Sequence, residues 1–313
     1  MVVFASLIPA CSVPAVTSEW IRAITRTEGQ HGRQEVSLFE LPEFLTLARQ
    51  MNETLSGKRI IKGSLDPTPH KFVWFNRTPE EFEELTCGKT LGKAHSRGKW
   101  LFSQLKPGYV LVLGECGGRV LFHPAGTTLP RRFHLCLSFE DGSSLTATTQ
   151  MWGAMELFDA GQEKRRQYIR GMRPTPTEPE FTFEYFSDLI DDVAREGKRS
   201  VKGLLTQDQL IPGLGNAISQ DILFKAKLHP RHPIDNLSRF ERRKLHRTIL
   251  RTVAYVVRLG GRNDERDLFD RPGGYVRIMD KNAVGHLCPD CGRRIEKIQY
   301  LGGACYFCPG CQL

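Results

Sequence analysis

The chain has 313 residues, a formal net charge of +9 and an apolar content of 40%, which is ordinary for a protein with a buried core. This length supports two or three compact units. No apolar run approaches the roughly 20 residues of a membrane-spanning helix, so no membrane-spanning helix and no membrane partner are predicted. Nine cysteines, four of them in one spaced cluster, indicate a reducing, intracellular (cytoplasmic) setting rather than a secreted, disulfide-bonded protein.

Residues 1–37 differ in character from the rest of the chain. Residues 1–11 are apolar but lack a basic start, so a secretory signal peptide is rejected. Residues 28–35 are polar and are predicted to be unstructured. The segment is interpreted as an extension that is disordered or not native. Translation from an alternative codon at Val36 or Leu38 would remove it.

A β-sandwich with a leading helix is predicted for residues 38–172. Apolar residues recur at helical spacing from residue 42 to residue 55. From residue 91 to residue 155 the pattern changes to strands, with a hairpin turn at residues 140–142. The predicted strands are Tyr109–Leu113, Arg119–Phe122, Phe133–Phe139 and Leu145–Thr148.

An all-helical unit is predicted for residues 173–262. A linker rich in proline and threonine precedes it at residues 171–179. Thr177-Glu178-Pro179-Glu180 has the pattern of a capping box and is predicted to open the first helix. Ser238 is predicted to open the last helix, which ends before Gly260-Gly261.

The turn Ile211-Pro212-Gly213-Leu214-Gly215-Asn216 leads into a helix. The unpaired first amides of that helix lie at the positive end of its dipole and suit a phosphate, and Asn216 stands at the helix start. Taken alone, the stretch is an ordinary helix-to-helix turn. However, residues 195–262 carry 15 Lys and Arg against 5 Asp and Glu. A basic block around an anion-binding turn indicates a site for a nucleic-acid backbone.

The C-terminal residues 284–313, which follow a connector at 263–283, carry two CxxC pairs. The cysteines are Cys288, Cys291, Cys308 and Cys311, with 16 residues between the pairs. This spacing predicts one tetrahedral Zn2+ with a closed ligand set, which makes the metal structural rather than catalytic. Cys305 is predicted to be a spare.

Several stretches resemble the formamidopyrimidine-DNA glycosylase / endonuclease VIII family of base-excision repair enzymes. They are Glu40-Leu41-Pro42-Glu43, Ser96-Arg97-Gly98-Lys99-Trp100, Leu204 to Asn216, Leu228-His229-Pro230 and the four cysteines. They follow the family's order across residues 38–312. The start of the motif region is similar to a branch of the family that lacks the N-terminal proline. The resemblance implies an α+β fold: an N-terminal β-sandwich, a helix–two-turns–helix domain and a C-terminal four-cysteine zinc ribbon.

The resemblance also implies a reaction. In the family an N-terminal proline amine attacks the sugar carbon that bears the damaged base, giving a Schiff base, and the adjacent glutamate moves protons. Glu40 matches that glutamate, whereas Phe39 occupies the position of the proline. Lys99 matches a lysine that contacts phosphate and the lesion. It is also the candidate replacement amine, provided that its pKa falls far below the ordinary value.

DNA contacts are implied for Lys99, Asn216 and Trp152. Trp152 stands at the family's wedge position and can insert between bases, although a place in the sandwich core is the alternative. Three further positions depart from the residues that the family uses to read a lesion or contact DNA. These positions are Glu115, Met151 and Gly303.

Two functions are consistent with this sequence. The first is a monomeric DNA N-glycosylase with lyase activity at abasic sites, acting on damaged bases in double-stranded DNA, with Glu40 as the acid and base. The second is a non-catalytic protein that binds DNA or DNA damage on the same scaffold. The retained Glu40 favours the enzyme. The lesion and the nucleophile are not identified by the sequence.

Overall fold

The computed structural model describes residues 38–68, 70–114 and 118–313. The predicted extension at 1–37 and the position of Glu115 lie outside these ranges. Within them, every helix is too short or too polar to span a bilayer.

The N-terminal half is a β-sandwich. Helix α1 spans Leu41–Thr54 and helix α2 spans Pro79–Thr86. One sheet has five strands in the order β2-β9-β5-β4-β3, and the other has four in the order β1-β7-β8-β6. Only β2 and β9 pair in parallel among these described strands. The strands are β1 Ile60–Leu65, β2 Val73–Trp74, β3 Thr90–Arg97, β4 Trp100–Lys106, β5 Tyr109–Gly114, β6 Gly118–His123, β7 Leu135–Phe139, β8 Ser144–Thr149 and β9 Gly153–Asp159.

The first hydrophobic core lies between the two sheets. Successive side chains of a strand point to opposite faces, so alternate residues enter the core. Leu111 and Leu157 enter from the five-stranded sheet, and Leu137 and Leu145 enter from the four-stranded sheet. Phe44 of α1 closes one side. The predicted β-sandwich with a leading helix is confirmed.

The second half of the chain begins with a helical unit that has a hydrophobic core of its own. Ser238 caps the longest helix, because its hydroxyl accepts from the Glu241 amide at 3.3 Å while the Glu241 carboxylate accepts from the Ser238 amide. A 3-10 turn at Glu163–Arg165 and the short helix α3, Gln167–Arg170, follow β9, and Ile169 of α3 clusters with Trp100 of the five-stranded sheet. The helices of the helical unit are α4 Phe183–Glu196, α5 Val201–Thr206, α6 Asn216–Ala226 and α7 Arg239–Arg258, with a 3-10 turn at Ile234–Asn236.

The start of α4 differs from the prediction at Thr177. The residue that caps α4 is Thr182, whose hydroxyl accepts from the Tyr185 amide at 3.1 Å. Glu178 is already engaged, because its carboxylate accepts from Arg97 Nε at 2.8 Å and from the Thr175 amide at 2.7 Å. A contact with a distant arginine therefore holds residues 175–181 outside the helix.

The C-terminal ribbon consists of β10, Glu296–Tyr300, and β11, Gly303–Phe307. The connecting residues Leu301 and Gly302 have φ values of 52° and 75°, which make a tight two-residue hairpin. Gly303, one of the positions that depart from the family's residues, is the first residue of β11 and pairs with Tyr300. The ribbon rests on α6, where the Tyr306 amide donates to Gln220 Oε1 at 2.6 Å.

Candidate active site at the junction of the two lobes

The chain enters the fold by joining the two hydrophobic cores. Phe39 is fully buried in the sandwich core, and Leu41 is fully buried in the core of the helical unit. Glu40 has an extended backbone and α1 begins at Leu41, so the chain changes direction between the side chain that enters the sandwich lobe and the one that enters the helical lobe. Glu40 lies between them and is only 3% exposed. The candidate catalytic glutamate therefore stands at the seam of the two lobes.

The turn before α6 and the β3–β4 hairpin meet at this seam. The Leu41 amide donates to the Gly213 carbonyl at 2.9 Å. A Cβ added at Gly213 would lie 2.6 Å from the Leu41 Cβ and 3.2 Å from the Gly98 Cα. Only residues without a side chain allow this approach, and φ of +93° at Gly213 also favours glycine. The predicted hairpin, turn and N-terminal motif are thus brought together.

Glu40 binds the first turn of α6. Its Oε1 accepts from the Ala217 amide at 2.8 Å and its Oε2 accepts from the Ile218 amide at 3.3 Å. A carboxylate at a helix N-terminus satisfies unpaired amides and interacts favourably with the helix dipole. The prediction that these amides bind phosphate is therefore wrong for Ala217 and Ile218, because an internal anion occupies them. Glu40 is 177 residues away from Ala217 in sequence, so the residues around the turn could not predict this contact.

Glu43 and Arg262 form a buried ion pair beside Glu40. Glu43 Oε1 accepts from the Arg262 amide at 3.0 Å and from Arg262 Nε at 3.1 Å, and Glu43 Oε2 accepts from Nη2 at 3.2 Å. Glu43 Oε2 also accepts from the Glu40 amide at 2.9 Å. Arg262 Nη2 donates to the Leu38 carbonyl at 2.7 Å. One arginine thus holds the backbone on one side of Glu40 and the carboxylate on the other.

The charge balance at the seam is acidic. Glu40, Glu43 and Glu265 are each 3% exposed, and Arg262 is fully buried. Burial lowers the pKa of Arg262, but the charges of these three carboxylates outweigh burial and raise it overall. The guanidinium therefore stays protonated at all relevant pH values. The positive end of α6 supplies further compensation at Glu40.

Arg262 and Glu265 were not identified from the sequence. They lie in and beside the loop-rich connector, to which no residue role was assigned. The only local sign is a charged stretch after Gly260-Gly261, and such stretches are usually solvated. Glu43, which binds Arg262, belongs to the motif that carries the resemblance. Its contacts depend on the tertiary fold and could not be predicted from the motif.

Phe39 has a structural role. Its ring packs edge-on against Phe44 with a centroid separation of 5.7 Å. A phenylalanine side chain has no nucleophilic atom, and a residue inside the chain has no free amine. Residue 39 therefore supplies no nucleophile while the preceding residues are attached.

Lys99 lies at the tip of the β3–β4 hairpin and is half-buried. In the described part of the chain its ammonium group makes no hydrogen bond or ion pair. The hairpin abuts the turn before α6, because a Cβ added at Gly98 would lie 3.2 Å from the Pro212 Cβ. The structure thus places a cation near the seam without linking it to Glu40.

Asn216 is the first residue of α6, while Gly215 occupies the N-cap position. The Asn216 side chain turns to the ribbon and donates from Nδ2 to the Ala304 carbonyl at 3.3 Å. Its Oδ1 is buried and has no partner among the described residues. Trp152 is half-buried just before β9, and its carbonyl accepts from the Thr149 hydroxyl at 2.7 Å. Neither contact tests the predicted DNA-binding roles.

The four cysteines Cys288, Cys291, Cys308 and Cys311 form one cluster. Their Sγ atoms all lie within 4.8 Å of one another, with 3.7 Å between Cys288 and Cys311 and 3.4 Å between Cys291 and Cys308. Four thiolates at about 2.3 Å from a tetrahedral Zn2+ are separated by roughly 3.8 Å, so the donor set fits a metal of that size. Cys305 is outside the cluster, as predicted.

Comparison with known proteins identifies the family. The profile of the Formamidopyrimidine-DNA glycosylase N-terminal domain matches residues 38–152. The profile of the Formamidopyrimidine-DNA glycosylase H2TH domain matches residues 172–266. The chain belongs to the formamidopyrimidine-DNA glycosylase family. The first profile begins at Leu38, one residue before the Phe39 that enters the sandwich core.

The chain matches curated relatives over nearly their whole length. The chain is 29% identical over 278 residues to a formamidopyrimidine-DNA glycosylase of Bacillus licheniformis, covering 87% of this chain and 98% of the relative. It is 28% identical over 282 residues to that of Desulforamulus reducens, with the same coverages.

Solved structures of the family show the same fold. The Lactococcus lactis protein in complex with abasic-site DNA superposes with a TM-score of 0.75 at 25% identity, covering 87% of this chain and 99% of that chain. The complex of the same protein with Fapy-dG-containing DNA has a TM-score of 0.74 at the same identity and coverages.

Proposed function

We propose that this protein is a DNA N-glycosylase of base-excision repair that also cleaves abasic sites, acting on damaged bases in double-stranded DNA. The observation that carries the proposal is the seam around Glu40. A carboxylate that is 3% exposed lies directly after the residues at which the family match begins. The names of the relatives and the DNA in the related structures support the same substrate class.

The reaction needs an amine beside Glu40. If the chain begins at Leu38, its α-amine has an ordinary pKa of about 8 and is partly neutral at physiological pH, unlike a lysine at about 10.4. The neutral amine attacks the sugar carbon that bears the base, and the base leaves with a proton as its bond to that carbon breaks. The amine nitrogen then loses a proton, the bond from the same carbon to the ring oxygen breaks as that oxygen takes up a proton, and the C=N bond of the Schiff base forms. Glu40 moves the protons of these steps. Arg262 positions residue 38 by holding its carbonyl at 2.7 Å.

Phosphates are proposed to be bound by the free ammonium of Lys99 and by Asn216 at the start of α6. Trp152 is proposed as the wedge that enters the base stack. The four-cysteine cluster is proposed to hold one structural Zn2+. The metal cross-links a small ribbon that has little core of its own, and the ribbon in turn contacts Asn216.

The second candidate is a non-catalytic protein that binds damaged DNA. It is favoured by two observations: the position of the nucleophile is a core phenylalanine, and both carboxylate oxygens of Glu40 already accept from amides of α6. The two candidates make opposite predictions for covalent trapping.

Borohydride reduction on abasic duplex DNA tests the proposal. The chain released from a cleavable tag to begin at Leu38 is expected to form a reduced covalent adduct, and the full chain is expected to form much less. Acetylation of the α-amine should abolish the adduct. Lys99→Arg should still form the adduct, because the α-amine is the proposed nucleophile. Glu40→Gln should lower the rate of single-turnover base removal by about 10²- to 10⁴-fold, the usual range for a general acid or base.

Glu53→Gln is the matched control, because Glu53 is an exposed glutamate at the end of the same helix. If neither chain forms an adduct while both bind the duplex, the Schiff-base mechanism is wrong. If neither chain removes a damaged base either, the non-catalytic candidate is correct. If trapping survives acetylation and disappears with Lys99→Arg, the nucleophile is Lys99.

A further inference from the structure

One face of α7 combines exposed aromatic rings with arginines. Residues three and four apart in a helix lie on the same face, and the exposed residues of α7 follow this spacing along most of its length. Phe240 is 72% exposed and Tyr255 is 42% exposed. We call this face the arginine–aromatic stripe. It consists of Phe240, Arg243, Arg247, Arg251, Tyr255 and Arg258.

The positive charge of the stripe is uncompensated. Within the described residues, none of its four arginines forms an ion pair or donates a hydrogen bond. Arg242, which lies outside the stripe, is by contrast bound to Asp191 at 2.7 Å. The one acidic residue of α7 is Glu241, and its carboxylate is bound by Ser238 at the helix start.

Aromatic rings support two of the guanidinium groups. Arg243 lies over the ring of Phe183 at 4.4 Å, and Arg258 lies over the ring of Tyr255 at 5.0 Å. A guanidinium held flat on a ring keeps its N–H edges free for phosphate oxygens. These contacts order the arginines without neutralising them.

The stripe continues into a groove between α6 and α7. The groove has a volume of about 650 Å³, and charged residues at its lining are Lys225, Arg251 and Arg258, with Tyr255 between them. No carboxylate is among its lining residues. Lys225 is held by a hydrogen bond of 3.1 Å to the hydroxyl of Tyr275.

The groove is separate from the candidate active site. Lys225 lies in the last turn of α6, whereas Ala217 and Ile218, which bind Glu40, lie in its first turn. Eight residues of helix separate them by about 12 Å at 1.5 Å per residue. From Phe240 to Arg258 the stripe extends a further distance of about 27 Å along α7.

We propose that the arginine–aromatic stripe binds single-stranded DNA. Guanidinium groups bind the phosphates, and the exposed rings provide faces on which unpaired bases stack, which is the combination that single-strand-binding surfaces use. A duplex keeps its bases stacked inside and would leave Phe240 and Tyr255 without a role. An acidic protein would use the arginines but not their interleaving with exposed rings. The stripe therefore gives the protein a second DNA contact outside the candidate active site, independent of lesion removal.

The test measures binding of a fluorescein-labelled oligothymidylate by fluorescence anisotropy with the whole protein. Phe240→Ala combined with Tyr255→Ala should raise the Kd about tenfold or more, because stacking contributes to affinity at each base. Arg247→Gln combined with Arg251→Gln should weaken binding. It should also make the plot of log K against log salt shallower by about 1.4, the value expected for two lost phosphate contacts on a single strand.

Two controls and one activity measurement separate this site from the candidate active site. Tyr255→Phe keeps the ring and should bind like the unmodified protein. Arg49→Gln with Arg195→Gln removes two arginines that are already paired with acidic residues, and should also leave binding unchanged. Cleavage of abasic duplex by the stripe variants should be unaltered. The cleavage assay therefore tests the proposed enzyme function, and oligothymidylate binding tests the stripe separately.

Two results would overturn the proposal. One is equal affinity of the aromatic variant and the unmodified protein, which would make the surface purely electrostatic. The other is complete displacement of the oligothymidylate by one equivalent of abasic duplex, which would place the single strand at the candidate active site. Unchanged thermal unfolding of the variants confirms that any loss of binding is local.

Discussion

At the residue scale, Arg262 organises the charge of the seam. Its side chain is fully buried. It binds Glu43 through two nitrogens and the Leu38 carbonyl through a third contact. A buried guanidinium is tolerated only when its donors are satisfied by acceptors of opposite charge. The family motif residue Glu43 thus serves first to keep an arginine charged next to the candidate catalytic position.

Removing the charge of Glu43 should therefore destabilise the fold. Glu43→Gln leaves Arg262 without its closest counter-charge, and we expect the free energy of unfolding to fall by about 3–5 kcal/mol. Urea denaturation measures this loss. Glu53→Gln breaks the exposed ion pair with Arg49 and should change stability by at most about 1 kcal/mol. A loss of that small size at Glu43 would contradict the buried ion pair.

At the scale of elements, the ribbon depends on its cysteines more than on its core. Its hydrophobic cluster is small and includes Phe224 of α6 as well as residues of the ribbon and its connector. The ribbon is tied to the helical unit by the Tyr306 amide on Gln220 and by Gln312 Nε2 on the Leu228 carbonyl at 2.9 Å. The proposed metal cross-link at the four thiolates would supply the order that so few apolar residues do not.

Loss of the metal should unfold the ribbon and spare the helical unit. Cys308→Ser, or treatment with a strong chelator, is expected to remove one equivalent of zinc by elemental analysis and to expose the Tyr306 amide to hydrogen exchange. The Ile222 amide in α6 should stay protected. Cys87→Ser is the control, because Cys87 is exposed and outside the cluster. Continued protection of Tyr306 in the metal-free protein would show that packing alone holds the ribbon.

At the scale of the whole molecule, three residues connect the sandwich lobe to the helical lobe. Phe39 anchors the chain in the sandwich core, Leu41 anchors it in the helical core, and Glu40 binds α6 between them. The close fit leaves no room at Gly215, where an added Cβ would lie 2.4 Å from Glu40 Oε1. The geometry of the candidate acid and base is therefore set by the way the two lobes meet.

Gly215→Ala tests this dependence. Gly215 has φ of −135°, which alanine adopts readily, so the collision with Glu40 is the main effect. Displacement of the carboxylate by about 1 Å should lower abasic-site cleavage roughly 100-fold in single-turnover kinetics. Gly171→Ala is the matched control, since its added Cβ lies 3.5 Å from the Gln167 carbonyl oxygen and φ is −91°. Full activity of Gly215→Ala would show that Glu40 acts without its contact to α6.

Local patterns were sufficient for the architecture. Strand-like apolar runs predicted the sandwich, helical spacing predicted α1, start and stop signals predicted α7, and the cysteine spacing predicted the metal cluster, because each depends on residues close in sequence. The motif around Glu40 also pointed to the family. The domain boundaries and the DNA contacts of Lys99, Asn216 and Trp152 stay predictions.

Tertiary structure alone decided which groups share the seam. Glu40 meets α6 across 177 residues, and Glu43 meets Arg262 across 219 residues. No periodic or regularly spaced sequence pattern predicts either of these two contacts. The contact of Glu40 with α6 withdrew two amides from phosphate, and the contact of Glu178 with Arg97 accompanies the shift of the α4 cap from Thr177 to Thr182. A sequence specifies its elements through neighbours, whereas the partners of a buried charge are selected by whichever distant groups folding brings within hydrogen-bond distance.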